Sequence, residues 1–435
     1  MEKVLLTYDR WYLRSPNIQV TYTVLIDTAI TPDEFEQALK LLTLRHPRLL
    51  CTVAVDADNR AWLIPDSAHL DIEYTDVLDF QELVKWHTAV DSHPWDFGRG
   101  LLHFRIACNG QHTRLAFHAH HLLTDGQGFN ILIRDMLLAL DNRIDSTPQP
   151  LPDIKLAYKP TFNVAQEMFG PALNNAWNKN PKSFSEQEFR EFFVRYRNSH
   201  PPAEVFGDIK GNDFAQMINY CKTNQLTVND FIVAAFMNAT IDTFPQFYGD
   251  GKIRVSVVAN IRNELLNPAT ACLGNYVSGI RMKMRWDSAS DFRTNAAHIG
   301  QTLRKSLHHP QTRYFAWHFF SVFEPALIES VMYSAYDGWE HPISCQLSRL
   351  LGAVGDKGLG VSNIGCVNMG TFRRFKVCDM NFIPPAFPEN RINVFVLTVG
   401  DTLHLCLRYV TTEVTAQQAA SIMDKVLNFN MKNQA

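Results

Sequence analysis

The sequence predicts an α/β protein of two domains, each built from a sheet packed by helices. Its 435 residues exceed what one hydrophobic core usually organises, so two domains of roughly 150–250 residues are expected. Strand-like and helix-like patterns alternate through both halves of the chain. Between the halves, segment 141–160 carries four prolines and little periodic structure, which is typical of a crossing loop or a boundary. We therefore predict domains at 1–160 and 161–435.

The composition excludes several classes of protein. The chain is 46% hydrophobic and 20% charged, with a formal net charge of −3, so it lacks the basic footprint of a nucleic-acid-binding protein. No apolar run reaches the roughly 18 residues of a membrane span, and the N-terminus lacks the apolar stretch of a signal peptide. The eight cysteines show no CxxC spacing. This pattern favours reduced thiols and a cytoplasmic protein.

The first half reads as strands at 20–26, 51–55, 61–64, 101–108 and 113–118, because these stretches are apolar and rich in β-branched residues. A helix should begin after Thr31, which supplies an N-cap before a proline and two acids, and it should end before Pro47. A second helix is predicted over 129–140. Asn109-Gly110 predicts a tight hairpin turn between two of the strands.

The second half begins with helices. Ser185 and Glu188 form a predicted capping box, and further helices are expected at 214–222 and, capped by Thr227, at 230–244. Strands are predicted at 253–259, 277–284, 391–399 and 403–409, the last two joined by a turn at Gly400. A C-terminal helix should begin at Thr415.

The run HAHHLLTDGQGF, at 118–129, is the densest cluster of chemically reactive side chains. Strand alternation places His118 and His120 on one face and leaves His121 at the strand end, facing a crevice. HxH spacing allows two imidazoles to bind one ion, so a metal-dependent hydrolase is one interpretation. However, Leu122 stands where the HxHxD pattern of two-zinc hydrolases requires aspartate. A histidine base for acyl transfer is the other interpretation.

Residues 120–126 match the pattern HHxxxDG, which resembles the signature of the condensation-domain and chloramphenicol-acetyltransferase-like acyltransferase superfamily. Further segments resemble other motifs of that superfamily in the same order along the chain. They are LRHPRLL at 44–50, PWDF at 94–97, VSVVANIR at 255–262, GNY at 274–276 and SNIG at 362–365. The resemblance therefore spans nearly the whole chain.

The resemblance implies two chloramphenicol-acetyltransferase-like subdomains, each a largely antiparallel or mixed sheet packed by helices, with a tunnel between them. It also implies transfer of an acyl group from a thioester, either acyl-CoA or an acyl carrier protein, to an alcohol or amine. No metal and no tightly bound cofactor would be needed. Residues 157–160 depart from the YxDYAxW-like motif of peptide-synthetase domains, and DKGLG at 356–360 departs from the plant-type DFGWG. The chain is therefore most similar to freestanding alcohol-acyltransferase-like and polyketide-associated members.

The resemblance makes His121 the general base and His120 a structural residue. Asp125 is expected to pair with Arg262 and to brace the loop, rather than to form a dyad with His121. The alternative for Asp125 is a simple Asx-type turn with Gly126. Gly126 is expected to adopt a positive φ or to leave room for substrate, and its N–H is a candidate oxyanion donor.

Three further residues are candidates for the tunnel. Ser362 and Asn363 are expected to line it and to donate a hydrogen bond, with a purely structural loop role as the alternative for Asn363. Asn275 is expected to fix a turn. The aromatic stripe at 314–323 indicates core packing or, alternatively, the wall of an acyl pocket. A non-catalytic, condensation-like binding or epimerase-like module is the remaining alternative to an enzyme.

Overall fold

The computed structural model describes residues 2–150, 155–157 and 159–429. The strands are β1 (Val4–Leu5), β2 (Gln19–Ile26), β3 (Thr52–Val55), β4 (Ala61–Ile64), β5 (Asp71–Thr75), β6 (Leu102–Cys108), β7 (Thr113–His120), β8 (Pro202–Lys210), β9 (Lys252–Asn260), β10 (Val277–Arg285), β11 (Gly358–Val367), β12 (Val377–Ile383), β13 (Asn390–Val399) and β14 (Thr402–Val410). Short 3-10 helices lie at Pro47–Leu50 and Arg262–Glu264.

The α-helices lie between these strands along the chain, singly or in runs of up to five. They are α1 (Arg10–Leu13), α2 (Pro32–Arg45), α3 (Phe80–Asp91), α4 (Gly126–Leu140), α5 (Val164–Trp177), α6 (Glu186–Ser199), α7 (Gly211–Thr223), α8 (Val228–Thr243), α9 (Pro245–Tyr248), α10 (Phe292–His308), α11 (Pro310–Arg313), α12 (Phe315–Val322), α13 (Pro325–Tyr336), α14 (Pro342–Leu350) and α15 (Ala416–Leu427). Within the described ranges, no helix combines the length and hydropathy that crossing a membrane requires.

The first lobe is built on a five-stranded sheet in the order β12-β2-β7-β6-β5. All neighbours are antiparallel except β5 and β6. Helices α2 and α4 cover one face, where Phe35, Phe104, Phe117 and Phe129 are buried in a common core. A small antiparallel sheet in the order β1-β4-β3 lies in the same lobe.

The second lobe is built on a six-stranded mixed sheet in the order β10-β9-β11-β13-β14-β8. Strand β11 runs parallel to both of its neighbours, and the remaining pairs are antiparallel. Helices α8, α10 and α15 contribute to the core on one face of this sheet. The predicted architecture of two helix-packed, antiparallel or mixed sheets is therefore confirmed.

The predicted boundary at residue 160 does not follow the packing. Helix α6, which comes after it, places Phe189, Phe192 and Phe193 in the core of the first lobe. Strand β12 comes much later still, yet it pairs with β2 as the edge of the first sheet. Local patterns cannot reveal this exchange, because strand partners are chosen over long sequence distances. Part of the predicted linker, 151–154 and 158, lies outside the described residues.

A chain of buried hydrogen bonds joins the two lobes. Arg408 on β14 donates to His87 Nε2 at 3.0 Å, and His87 Nδ1 lies 2.8 Å from the Thr21 hydroxyl. Thr21 also lies 2.9 Å from His118 Nδ1, and His118 Nε2 lies 2.9 Å from Gln19 Oε1. The Arg408 guanidinium can only donate, so His87 Nε2 accepts and His87 Nδ1–H donates to Thr21. Thr21 then donates to His118 Nδ1, and His118 Nε2–H donates to Gln19. In this arrangement both imidazoles are neutral.

Burial supports that neutral state. It holds the pKa of His118 well below the usual histidine value, and His103 lowers it further. Burial likewise depresses the pKa of His87, with the Arg408 charge as the next cause. Asp91 lies 3.7 Å from His87 Nε2 but is already paired with Arg197 at 2.5 Å. Below about pH 6.5 these histidines therefore bind protons in the unfolded chain but not in the folded chain. The free energy of unfolding consequently decreases as the pH is lowered.

We predict that His87→Gln makes the free energy of unfolding less sensitive to acid. The parent should lose up to about 1.4 kcal/mol per pH unit for each such histidine below about pH 6.5, and the variant should lose correspondingly less. Urea unfolding at pH 7.5 and 5.5 measures the difference. His298→Gln, at an exposed position of α10, is the control and should keep the parental slope. Equal slopes for His87→Gln and the parent would contradict the prediction.

Candidate active site

The loop between β7 and α4 carries the HHxxxDG residues. His121 is the first residue after β7, and its N–H donates to Ile18 O at 3.2 Å. Asp125 is the N-cap of α4, and its Oδ1 accepts from Gly128 N at 2.9 Å. The loop is therefore anchored at both ends by backbone hydrogen bonds.

The second oxygen of Asp125 faces the other lobe. Asp125 Oδ2 accepts from Arg262 Nη1 at 2.5 Å and from Tyr276 N at 2.8 Å. Both side chains of the ion pair are nearly inaccessible, at 2% for Asp125 and 4% for Arg262. The expected pair with Arg262 is present, and in place of the alternative Asx-type turn with Gly126 the other oxygen caps α4 through Gly128 N. No hydrogen bond joins Asp125 to His121 among the described residues.

Arg48 of the LRHPRLL segment contacts the backbone of the same loop. Arg48 donates from Nε to Leu123 O at 2.9 Å and from Nη2 to Leu122 O at 2.7 Å. Its Nη2 also lies 3.3 Å from Asp9 Oδ2. One buried guanidinium therefore fixes the two carbonyl groups that follow His121, and the role of Arg48 went unnoticed in the sequence.

Asn275 holds His121 through two hydrogen bonds, one to its backbone carbonyl and one to its imidazole. Its Nδ2 donates to His121 O at 2.7 Å, so its Oδ1 faces His121 Nδ1 at 2.8 Å. An amide oxygen accepts only, so Nδ1 carries the ring proton and Nε2 carries the lone pair. No partner for Nε2 lies among the described residues. Asn275 thus does more than fix a turn, because it selects the tautomer that a base requires.

Tyr12 of α1 and Asp9, the N-cap of α1, complete the surroundings of the imidazole. The Tyr12 ring stacks on His121 with centroids 4.8 Å apart and an interplanar angle of 9°. The buried Asp9 carboxylate contacts Asn275 and Arg48, and burial raises the pKa of Asp9 to about 6 despite both contacts. No sequence signal pointed to Tyr12 or Asp9, because α1 is a single turn without helical periodicity.

Helix α1 is held in place by a buried ion cluster. Glu329 on α13 lies 2.7 Å from Arg10 Nη2 and 3.2 Å from Arg14 Nη1. Two guanidiniums share one carboxylate here, and burial raises the pKa of Glu329 against their combined charge. This cluster fixes the position of the Tyr12 ring against His121.

Burial lowers the pKa of His121, whereas the Asp125 charge and the Asn275 hydrogen bond raise it. The burial effect dominates, so the imidazole is neutral at neutral pH. Neutral imidazole with its Nε2 lone pair free is the form that accepts a proton.

A cavity of about 670 Å³ lies between the lobes beside the Tyr12 ring. Its walls come from the segment around α1, from α12, and from one face of β9, β10, β11 and β13. Ser362 lies in this wall, and its role toward a substrate stays a prediction. Phe315, Phe319 and Phe320 of the aromatic stripe also line it, while Phe319 belongs to a buried core cluster as well. The stripe therefore serves both as packing and as a wall.

Two predicted roles need correction. Gly126 is the first residue of α4 and does not have a positive φ. A Cβ there would lie 3.1 Å from the Tyr22 hydroxyl and 3.2 Å from Ile364 Cγ1, so the space beside Gly126 is occupied. Asn363 is not among the residues that line the cavity. Its Oδ1 accepts from Gly365 N at 2.9 Å within a bulge of β11, which is the structural role that the sequence left as the alternative. The role of the Gly126 N–H as an oxyanion donor stays a prediction.

The remaining histidines of the run are buried in the lobe. His120 Nδ1 accepts from Leu122 N at 3.2 Å, and its ring packs against Trp95 and Phe97. His118 belongs to the interlobe chain of hydrogen bonds. Across the described residues, no three His, Cys, Asp or Glu side chains are grouped so that they could hold a metal ion.

Neither a family model nor a curated relative matches the chain. Solved structures do match it along its length. The trichothecene 15-O-acetyltransferase TRI3 from Fusarium sporotrichioides has a TM-score of 0.69 at 12% identity, covering 98% of this chain and 95% of that one. The condensation domain of the Monacolin K polyketide synthase MokA has a TM-score of 0.65 at 11% identity, covering 100% and 98%.

Polyketide synthase associated protein 5 from Mycobacterium tuberculosis has a TM-score of 0.61 at 13% identity, covering 99% of this chain and 98% of that one. An epimerization domain of tyrocidine synthetase B has a TM-score of 0.59 at 12% identity, covering 97% and 92%. At these identities the similarity establishes the fold. The chain therefore has the fold of condensation domains and chloramphenicol-acetyltransferase-like proteins, and the predicted resemblance is confirmed at that level.

We predict that Asp125→Ala lowers the free energy of unfolding by about 3–5 kcal/mol, because it leaves the buried Arg262 charge without a partner. Asp125→Asn keeps a cap oxygen for Gly128 N but places an amide donor against Arg262 and Tyr276 N, so it should lose a similar amount. Chemical denaturation measures both variants. Glu82→Ala, which removes an exposed pair with Lys85, is the control and should change little. An Asp125→Ala protein as stable as this control would disprove the bracing role.

Proposed function

We propose that the protein is an acyltransferase that moves an acyl group from a thioester donor to an alcohol or amine, with His121 as the general base. The donor is acyl-CoA or an acyl carrier protein. The observation that carries this proposal is the Asn275 clamp, which fixes His121 with Nδ1 protonated and Nε2 unpaired. The fold shared with TRI3 and with condensation domains supports it, since those names denote acetyl transfer and condensation.

The proposed reaction uses each feature of the site. The acceptor hydroxyl or amine gives its proton to His121 Nε2 as its oxygen or nitrogen bonds to the thioester carbonyl carbon. The tetrahedral intermediate collapses, the C–S bond breaks, and the departing thiolate takes the proton from Nε2. The Gly126 N–H, which has no intrahelical acceptor at the start of α4, is the candidate donor to the intermediate oxyanion. Holding both substrates beside one base supplies much of the rate.

We predict that His121→Ala lowers kcat/KM by about 10²–10⁴-fold, the usual contribution of a general base. A thiol-release assay with a panel of acyl-CoAs against pooled alcohols and amines measures it, and pantetheinylated carrier proteins serve as the alternative donors.

The matched control is His298→Ala, which lies on the outer side of α10 and should keep the parental rate. Parental activity in His121→Ala would overturn the assignment of the base. Thiol release that proceeds without any acceptor would identify a thioester hydrolase instead.

We predict that Asn275 controls the pH profile as well as the rate. Asn275→Ala frees the imidazole and should lower kcat/KM by at least about tenfold. Asn275→Asp keeps an acceptor for Nδ1–H but adds a negative charge, which should raise the pKa of His121 and move the acid limb of the profile to higher pH.

Profiles of kcat/KM from pH 5 to 8 test this. The parental limb should lie below about pH 6.5, because burial lowers the pKa of His121. Asp9→Asn separates the two titrating groups, since it removes the Asp9 carboxyl and leaves the imidazole. If Asn275 were purely structural, its variants would have a reduced rate while the acid limb of the kcat/KM profile stayed at the parental pH. That outcome would contradict the positioning role.

A further inference from the structure

The walls of the interlobe cavity are basic, although the chain has a formal net charge of −3. The cationic side chains in the wall are Arg254, Arg281, Lys283 and Arg349. Glu389 is the one acidic side chain among the described residues that line it. A concave, poorly hydrated wall concentrates the field of such charges, so this excess of cations attracts an anion.

The guanidinium groups of Arg254 and Arg281 both lie beside Gly352. A Cβ atom on Gly352 would be 2.0 Å from Arg281 Nη1 and 3.0 Å from Arg254 Nη1, so the glycine leaves space for both guanidiniums. Neither forms an ion pair with a carboxylate of the described residues. Burial lowers the pKa of Arg281 and the Arg254 charge lowers it further, while Glu389 opposes the shift. One nearby carboxylate, Glu389, offsets only part of the charge of the two neighbouring guanidiniums, so together they form a binding site for an oxyanion.

The Arg281 guanidinium is fixed before any ligand arrives. Its Nε donates to Ser256 Oγ at 3.2 Å, and its Nη1 donates to Leu351 O. Its Nη2 has no partner among the described residues. The Arg281 guanidinium therefore offers the Nη2 donor to a ligand, and its side chain loses little conformational entropy on binding.

Strand β10 connects this charged patch to His121. Asn275, which clamps the imidazole, is followed along the cavity wall by Val277, Gly279 and Arg281. Arg281 is six residues beyond Asn275, roughly 20 Å along an extended strand. A Cβ on Gly279 would meet no atom within 4 Å, so the space between the two ends is open.

The opposite wall is apolar. Trp11, Phe315 and Phe320 line the cavity across from the sheet. Rings in this position bury the body of an apolar ligand and offer few groups to a polar one.

The geometry points to an amphipathic anion as the ligand of this cavity: an apolar chain or ring system lies along the aromatic wall, and its carboxylate or phosphate binds Arg254 and Arg281. The opposite end of the ligand lies toward Tyr12, which lines the cavity and stacks on His121. That the ligand is a substrate of acyl transfer rests on the proposed function, whereas the binding itself does not.

The test uses the full-length His121→Ala protein, so that no turnover can occur. Isothermal titration calorimetry compares straight-chain carboxylates from hexanoate to hexadecanoate with the amide and the alkyl phosphate of the same length. The carboxylate or the phosphate should bind at least about tenfold more tightly than the neutral amide. The preferred anion identifies which headgroup the arginines select, and free phosphopantetheine provides a polar-bodied phosphate for comparison.

Variants locate the site. Arg281→Met and Arg254→Met should each remove most of the preference for the anion while the amide affinity stays unchanged, and Arg281→Lys should retain part of it. Gly279→Phe should block all ligands by filling the open space. Arg293→Met, on the outer helix α10, is the matched control and should bind like the parent.

Three results would overturn the inference. The first is equal affinity for the carboxylate, the phosphate and the amide, and the second is no binding of any of them. The third is tighter binding of phosphopantetheine than of every alkyl carboxylate and alkyl phosphate. None of these bears on whether His121 is a base. Conversely, loss of activity on substituting His121 leaves this measurement unaffected, so failure of the binding and failure of the proposed function are distinguishable.

Discussion

The site depends on the carboxylate of Asp125, which joins the two lobes at the point where His121 must be positioned. One oxygen caps α4 through Gly128 N, and the other accepts from Arg262 and from Tyr276 N. Removing a buried charge of this kind leaves its partner unpaired at a cost of several kcal/mol, so the arrangement tolerates little variation. Gly274 has a φ of 144°, and a Cβ there would lie 2.6 Å from the Tyr276 hydroxyl, so this turn requires glycine. Asn275 follows it and is thereby presented to the imidazole.

This arrangement explains why Asp125, four residues from His121, forms no hydrogen bond with the imidazole. The orientation of His121 is set by Asn275, which belongs to the other lobe, and by Tyr12, which stacks on the ring. A neutral amide fixes the tautomer without adding a negative charge that would raise the pKa of the imidazole. The His121 imidazole is therefore held in one tautomer only when the lobes are docked.

The motifs that suggested the superfamily have clear physical roles here. Arg48 in LRHPRLL holds the carbonyl groups of Leu122 and Leu123, so that segment fixes the histidine loop. The predicted helices agree closely with the structure where a capping residue and periodicity coincide, as at Thr31. The SNIG segment forms part of the central strand β11. The sequence did not predict this strand, because the short and polar residues of the segment hide the strand pattern. Strand β12 escaped prediction because its partner β2 lies in the other half of the chain.

The sequence by itself determined that a histidine stands at a strand end, that an aspartate and a glycine follow it, and that sheets alternate with helices in two lobes. These features are local, since alternation, capping and turn chemistry act within a few residues. Only the tertiary structure decided which nitrogen of His121 is free, because that depends on an amide oxygen supplied by Asn275. It also decided that Arg254 and Arg281 share one wall, because β9 and β10 pair in a register that no local pattern specifies.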